Sequence, residues 1–126
     1  MKKIINTDKA PAAIGTYSQA VVHAGVLYTS GQIPIDPDSG EMLGPDFKQQ
    51  AHRVFQNLQA VAQAAGTDLQ QALKLTVFLQ DLNDFAALND VMSGYLSEPY
   101  PARAAIQVAR LPKDSLIEVD AIIAMP

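Results

Sequence analysis

Between Phe47 and Ala65 apolar side chains recur at intervals of three and four, at Phe47, Ala51, Val54, Phe55, Leu58, Val61, Ala62 and Ala65. At 3.6 residues per turn these positions share one stripe, which predicts an amphipathic helix. Pro45 and Asp46 suit its first turn, where a missing N–H is no loss and a carboxylate meets the positive end of the dipole, and Gly66 suits its C-cap. The same rhythm in Phe85, Leu88, Val91, Met92, Tyr95 and Leu96 predicts a second helix, capped by Asn83 or Asp84 and stopped near Pro99.

The remaining apolar runs are shorter and read as strands. Val21-Val22 and Val26–Thr29 flank His23-Ala24-Gly25, a glycine-containing turn, and form a hairpin. Leu73–Leu79 is too short for a helix and reads as a strand buried on both faces. Ala104–Ala109 and Leu116–Ala124 make two more, joined through Leu111–Asp114, and Lys3–Asn6 makes a short first strand. The order β-β-β-α-β-α-β-β predicts a sheet with two helices on one face, an α+β two-layer sandwich. In the last strand Ile117, Val119, Ala121 and Ile123 point one way while Leu116 and Ile122 point the other. The sheet is thus largely apolar on both faces, and self-association is expected to cover the second.

Composition narrows the function. A length of 126 residues without a linker or repeat gives one domain. The absence of cysteine excludes disulfides, thiolate metal sites and cysteine nucleophiles, and fits the cytoplasm. Polar residues follow Ile4-Ile5 at once, so no signal peptide is expected, and no apolar run is long enough to span a membrane. Nine basic side chains against 13 acidic ones give a charge of −4, with Lys2-Lys3 the only adjacent basic pair, which argues against nucleic acid as a partner. His23 and His52 are too isolated for a metal site and read as surface residues. No phosphate-cradling or dinucleotide motif occurs.

Three segments remain as candidate chemistry. Ile14–Gln19 and Thr29–Pro34 combine hydroxyl residues with glycine at strand ends, which makes either ordinary turns or a place where hydroxyls and a bare N–H meet a ligand. In the third, Arg103 lies in an otherwise apolar strand, and Glu118 and Asp120, two residues apart, share a face of another. Charges in apolar strands are costly unless paired or used, so Arg103 serves either a structural ion pair or the carboxylate of a substrate, with Glu118 handling a proton or a water. If these strands formed a hairpin with Arg110 opposite Ser115, Arg103 would face Ile122, roughly 13 Å along from Glu118. A small ligand touching both would then lie between two copies of the chain.

The stretch from Tyr100 to Asp114 followed by Ile117–Ile122 resembles the C-terminal signature of the RidA/YjgF/UK family of enamine/imine deaminases. The similarity extends through Ala10–Gly15, Tyr17–Ala20, Thr29–Pro34, Ala65-Gly66, Thr76–Leu79 and Asp81–Phe85, essentially the whole chain. The resemblance implies a chorismate-mutase-like fold, a homotrimer with clefts at its subunit interfaces, and no metal or organic cofactor. It implies hydrolysis of 2-aminoacrylate/2-iminopropanoate-type intermediates, released by pyridoxal-phosphate enzymes, to 2-oxo acids and ammonium. On matching motifs, Arg103 would clamp the substrate carboxylate with help from the Gly31 N–H, and Glu118 would position water and transfer protons. Ser30 and Tyr17 would line the cleft, Asn89 would add a polar contact, and Ala105 would contribute backbone where the family often has cysteine. Thr16 in place of the usual proline, a short Ser97–Pro101 link and Asp120 in place of glutamate depart from the pattern. Two other functions compete: a non-catalytic trimer binding small carboxylates, and a ribonuclease or translation inhibitor, which the negative charge disfavours.

Overall fold

Where the expected turn falls at Ala24-Gly25, both residues have positive φ, 51° and 79°, the backbone that lets two twisted strands reverse in two residues. A computed structural model describes all 126 residues. Strand β1 (Lys3–Ile5) pairs antiparallel with β2 (Ala20–His23), which turns into β3 (Val26–Thr29). Helix α1 (Phe47–Ala65) leads to β4 (Ala72–Leu79), helix α2 (Phe85–Met92), β5 (Ala102–Gln107) and β6 (Ile117–Ala124). The six strands form one mixed sheet in the order β1-β2-β3-β6-β4-β5, with only β4 and β5 parallel. The α+β class and the element order are those expected.

The α1 stripe packs on this sheet in a core of 24 buried residues that includes Val54, Phe55, Leu58, Leu75, Val77, Ile117 and Ile123. Asp46 caps α1 by accepting from the Gln49 N–H at 3.0 Å, and Gly66 closes it at φ 90°. The second helix is shorter than expected. Asp81, rather than Asn83 or Asp84, supplies the side-chain cap, to a 3-10 turn at Leu82–Asp84 that runs into α2. Phe85, placed on the core stripe by its spacing, is instead exposed.

Two strand expectations are corrected. Ala102–Gln107 and Ile117–Ala124 do not form a hairpin, because β4 lies between them. The Val108 N–H donates to Leu79 O and the Gln80 N–H to Leu116 O, so the connection is tied at both ends to β4 and crosses it. An apolar strand gains most from neighbours on both edges, which is the position β4 takes. Nor is that strand buried on both faces: Leu75, Val77 and Leu79 lie under the helices, whereas Lys74 is exposed and Thr76 and Phe78 are half-buried, and Leu73, left unpaired by a bulge between Ala72 and Lys74, is 50% exposed. The uncovered face carries Ile4, Tyr28, Phe78, Ile106 and Ile122.

Buried amides fasten the loops. Gln19 Nε2 donates to Thr7 O (2.9 Å) and Pro11 O (2.8 Å), and its Oε1 accepts from the Thr7 N–H (2.7 Å). Gln50 bridges Gly44 O and the Leu116 N–H, and Asn57 donates to Ile35 O at 3.1 Å. Gln19→Ala would leave those half-buried backbone groups without their partner and is expected to lower unfolding free energy by about 2 kcal/mol. A fall in urea midpoint with unchanged slope checks this; an unchanged midpoint would contradict it.

Candidate functional site

The strand end at Thr29 becomes a site because β3 carries one residue too many there. Tyr28 pairs with Ile122 and Gln32 with Val119, so Thr29, Ser30 and Gly31 face only Asp120 and Ala121 across a bulge. Thr29 Oγ1 accepts from the Ala121 N–H at 3.0 Å, and Ser30 is tied back through its N–H to Gln19 O and its hydroxyl to Ser18 O. The Gly31 N–H has no partner in the chain. A β-carbon on Gly31 would lie 2.5 Å from Glu118 Oε2 and 2.9 Å from its Cδ, so glycine alone leaves that carboxylate where it is.

A cavity of about 610 Å³ opens over this bulge, walled by Tyr17, Ser30, Gly31, Ile33, Lys113 and Glu118 among others. The Tyr17 hydroxyl accepts from the Ile14 N–H at 3.3 Å, closing the loop that bends at Gly15 (φ 112°). On the opposite rim Lys113 and Asp114 both hold φ 55°, an uncommon conformation away from glycine, with Asp114 gripped by Arg110 at 2.7 and 3.3 Å. Burial lifts the Glu118 carboxyl above its ordinary range, and the charge of Asp120 on the same face adds to the effect. Asp120 is raised too, by burial, although the Thr76 hydroxyl and Lys74 pull it the other way.

Arg103 lines a different cavity, of about 460 Å³, with Asn89, Met92, Leu96, Tyr100 and Pro101. Its Nη1 donates to Asn89 Oδ1 at 2.7 Å, and its guanidinium carbon lies 5.0 Å from the centre of the Phe85 ring. The ion pairs of the chain are Lys48–Asp90 and Arg110–Asp114, so a structural ion pair for Arg103 is not what the chain provides. Ala105, two residues along the same face, packs half-buried against the core.

The two cavities belong to opposite faces of the sheet. Arg103 pairs with Leu75, which is buried beneath the helices, whereas Glu118 pairs with Phe78 on the uncovered side. Leu75 in turn pairs with Ala121, so Arg103 and Glu118 are two strands apart and three residues out of step, about 14 Å between backbones. The hairpin register is therefore wrong, while the distance it yields is of the right size. Tyr17, Ser30, Gly31 and Glu118 come together, and Arg103 and Asn89 come together, but one chain does not join the two groups. His23 and His52 are exposed, with His52 Nδ1 3.0 Å from the Tyr95 hydroxyl. No three His, Asp or Glu side chains converge as a metal would need, and no helix is long and apolar enough to cross a membrane.

A family model described as Endoribonuclease L-PSP matches residues 7–125. The chain belongs to this family, also known as RidA/YjgF. Among its relatives, a RutC family protein of Pyrococcus abyssi is 50% identical over 96% of this chain and 95% of its own length. A 2-iminobutanoate/2-iminopropanoate deaminase of Rattus norvegicus is 47% identical over 97% and 89%. Of the solved RidA-type folds, RidA from an Antarctic Psychrobacter superposes with TM-score 0.94 at 51% identity, covering 98% of this chain and 99% of that one. Escherichia coli TdcF with bound serine does so with TM-score 0.92 at 43% identity, over 98% and 99%. Membership implies that a small molecule is bound, and deaminases occur among relatives of this similarity.

Sequence reasoning missed the supports. Gln50 and Asn57, seven residues apart on the buried side of α1, were legible as polar interruptions of an apolar stripe. The role of Phe85 beneath Arg103 had no sequence signal beyond its helical spacing to Asn89.

The raised Glu118 carboxyl has a thermodynamic consequence. A folded-state pKa above the ordinary 4.5 contributes stability that is full below that value and lost as pH rises through the raised one. Glu118→Gln, neutral throughout, is expected to melt above wild type at neutral pH, with the gap closing in acid below about 4.5. Equal melting at neutral pH would show that the carboxylate bears no burial cost.

Proposed function

We propose that the chain is a cytoplasmic enamine/imine deaminase, converting 2-aminoacrylate/2-iminopropanoate-type intermediates to 2-oxo acids and ammonium without metal or organic cofactor. Its site forms between copies, with Arg103 from one and Tyr17, Ser30, Gly31 and Glu118 from the next. The observation that carries this reading is the placement of Arg103 and Glu118 on opposite faces of one sheet. A head-to-tail ring of three brings face to face in every interface what a single chain holds apart, and yields three equal clefts. The serine in TdcF and the name of the rat relative support a small substrate with a carboxylate beside an amine or imine carbon.

In this reading Arg103 takes both oxygens of the substrate carboxylate, and the free Gly31 N–H donates a further bond. An enamine first gains a proton from solvent on its methylene carbon, giving the protonated imine. Water then adds to the imine carbon, and Glu118 removes a proton from that water as the C–O bond forms. Glu118 returns that proton to the nitrogen, the C–N bond breaks with its electron pair leaving on nitrogen, and the ammonia so formed takes up the hydroxyl proton as the carbonyl forms, departing as ammonium. A carboxyl lifted by burial is a better base than an exposed glutamate, while Ser30, Tyr17 and the Ala105 backbone shape the space around the reacting carbon.

The test follows 2-oxo acid release while a serine/threonine dehydratase generates 2-aminoacrylate. Arg103→Ala and Glu118→Ala are each expected to lose at least about a hundredfold in rate. Chains of the two variants refolded together in equal amounts should regain about one quarter of wild-type activity, because one interface in four then combines an intact Arg103 with an intact Glu118. A site contained in one chain would regain none. Absence of any acceleration by wild type would overturn the deaminase reading itself.

A further inference from the structure

Phe85, Asn89 and Met92 follow one another at intervals of four and three, which sets an aromatic ring, an amide and a thioether on one stripe of α2. All three meet the Arg103 guanidinium. Nη1 donates to Asn89 Oδ1 at 2.7 Å and lies 3.6 Å from Met92 Sδ, and the cation sits over the Phe85 ring at 5.0 Å. Every one of these contacts is uncharged, and no carboxylate of the chain is paired with Arg103. The contacts engage one end of the fork and its face, leaving the Nε and Nη2 N–H groups without a partner in the chain. Those two N–H groups lie side by side on one edge of the guanidinium, the spacing that accepts both oxygens of a carboxylate.

We propose that Asn89 is a positioning residue, holding Arg103 by a neutral acceptor so that its Nε/Nη2 edge faces the substrate carboxylate with the full positive charge still available. The inference rests on Arg103 acting as the carboxylate clamp in the reading above, and it moves Asn89 from a substrate contact to a support of the residue that makes one. The neutrality of the acceptor is the essential part. An aspartate at 89 would orient the guanidinium at least as firmly, through a charge-assisted bond, but would compensate the charge that draws the ligand. Orientation and attraction, which the amide keeps together, would then be separated.

The experiment measures binding of 2-oxobutanoate, a stable 2-oxo acid, by titration calorimetry at neutral pH and low salt, beside the melting temperature and assembly state of each protein. Asn89→Ala is expected to weaken binding about tenfold by loosening the fork, and Asn89→Asp at least about a hundredfold by neutralising it. Asn89→Asp should nevertheless melt at or above Asn89→Ala, because its new ion pair is retained in the folded state. Binding and stability thus move in opposite directions, which a purely structural role for Asn89 does not produce. Asn89→Asp binding as tightly as Asn89→Ala, Asn89→Ala binding like wild type, or wild type binding no better than Arg103→Ala would each overturn the proposal. Wild type that binds 2-oxobutanoate in this order of variants yet fails to speed imine hydrolysis would uphold the role of Asn89 and remove the deaminase reading alone.

Discussion

The placement of β4 between β5 and β6 governs everything that matters for the site. Leu75, Val77 and Leu79 secure that central position by packing under the helices, and their strand gives one edge to β5 in parallel and the other to β6 in antiparallel pairing. Once both pairings are fixed, so are the faces. Arg103 inherits the side of Leu75, toward α2, and Glu118 inherits the side of Phe78, away from it. The separation of the two charged residues follows from strand register, and no side-chain rotation within one chain removes it.

Around that frame, local irregularity gathers at the walls of the cavity that holds Glu118. The bulge at Thr29–Gly31 releases a backbone N–H from the ladder and brings the chain against the Glu118 carboxylate. Two left-handed residues at Lys113 and Asp114 shape the facing rim. Such features cost stability, each on the order of 1 kcal/mol or more, and persist only if their surroundings over-determine them. The buried amides of Gln19, Gln50 and Asn57 are well placed to do so, since each bonds backbone groups of a wall or its neighbours, and Asn57 in addition accepts from Arg53 Nε at 3.0 Å.

Both helices, the first hairpin and the strand order in the chain were legible because each depends on local periodicity or a turn residue. The partner of β6 was not, because a link such as Val108–Leu116 permits a return to the adjacent strand or a step across it, and local pattern does not choose. Arg103 and Glu118 stood out as charges within apolar strands. Their assignment to opposite faces was hidden, since parity of position fixes alternation within a strand and says nothing of which side the helices cover. Leu73 misled because a bulge between Ala72 and Lys74 takes it out of the ladder, so it does not share the burial that alternation with Leu75 would give it.

Strand β5 forms one margin of the sheet, and its open-face residues are Ala102, Ala104 and Ile106, with Ile106 48% exposed. An unpaired margin this apolar is a hazard to a lone chain, which offers it as a template for indiscriminate pairing. Arg103, on the same strand, is the single charge along it, and so guards the margin besides any part it has in chemistry. If copies must meet to complete a cleft, the lone chain is at once inactive and adhesive. Cellular abundance then sets catalytic capacity and colloidal safety together, and dilution erodes both.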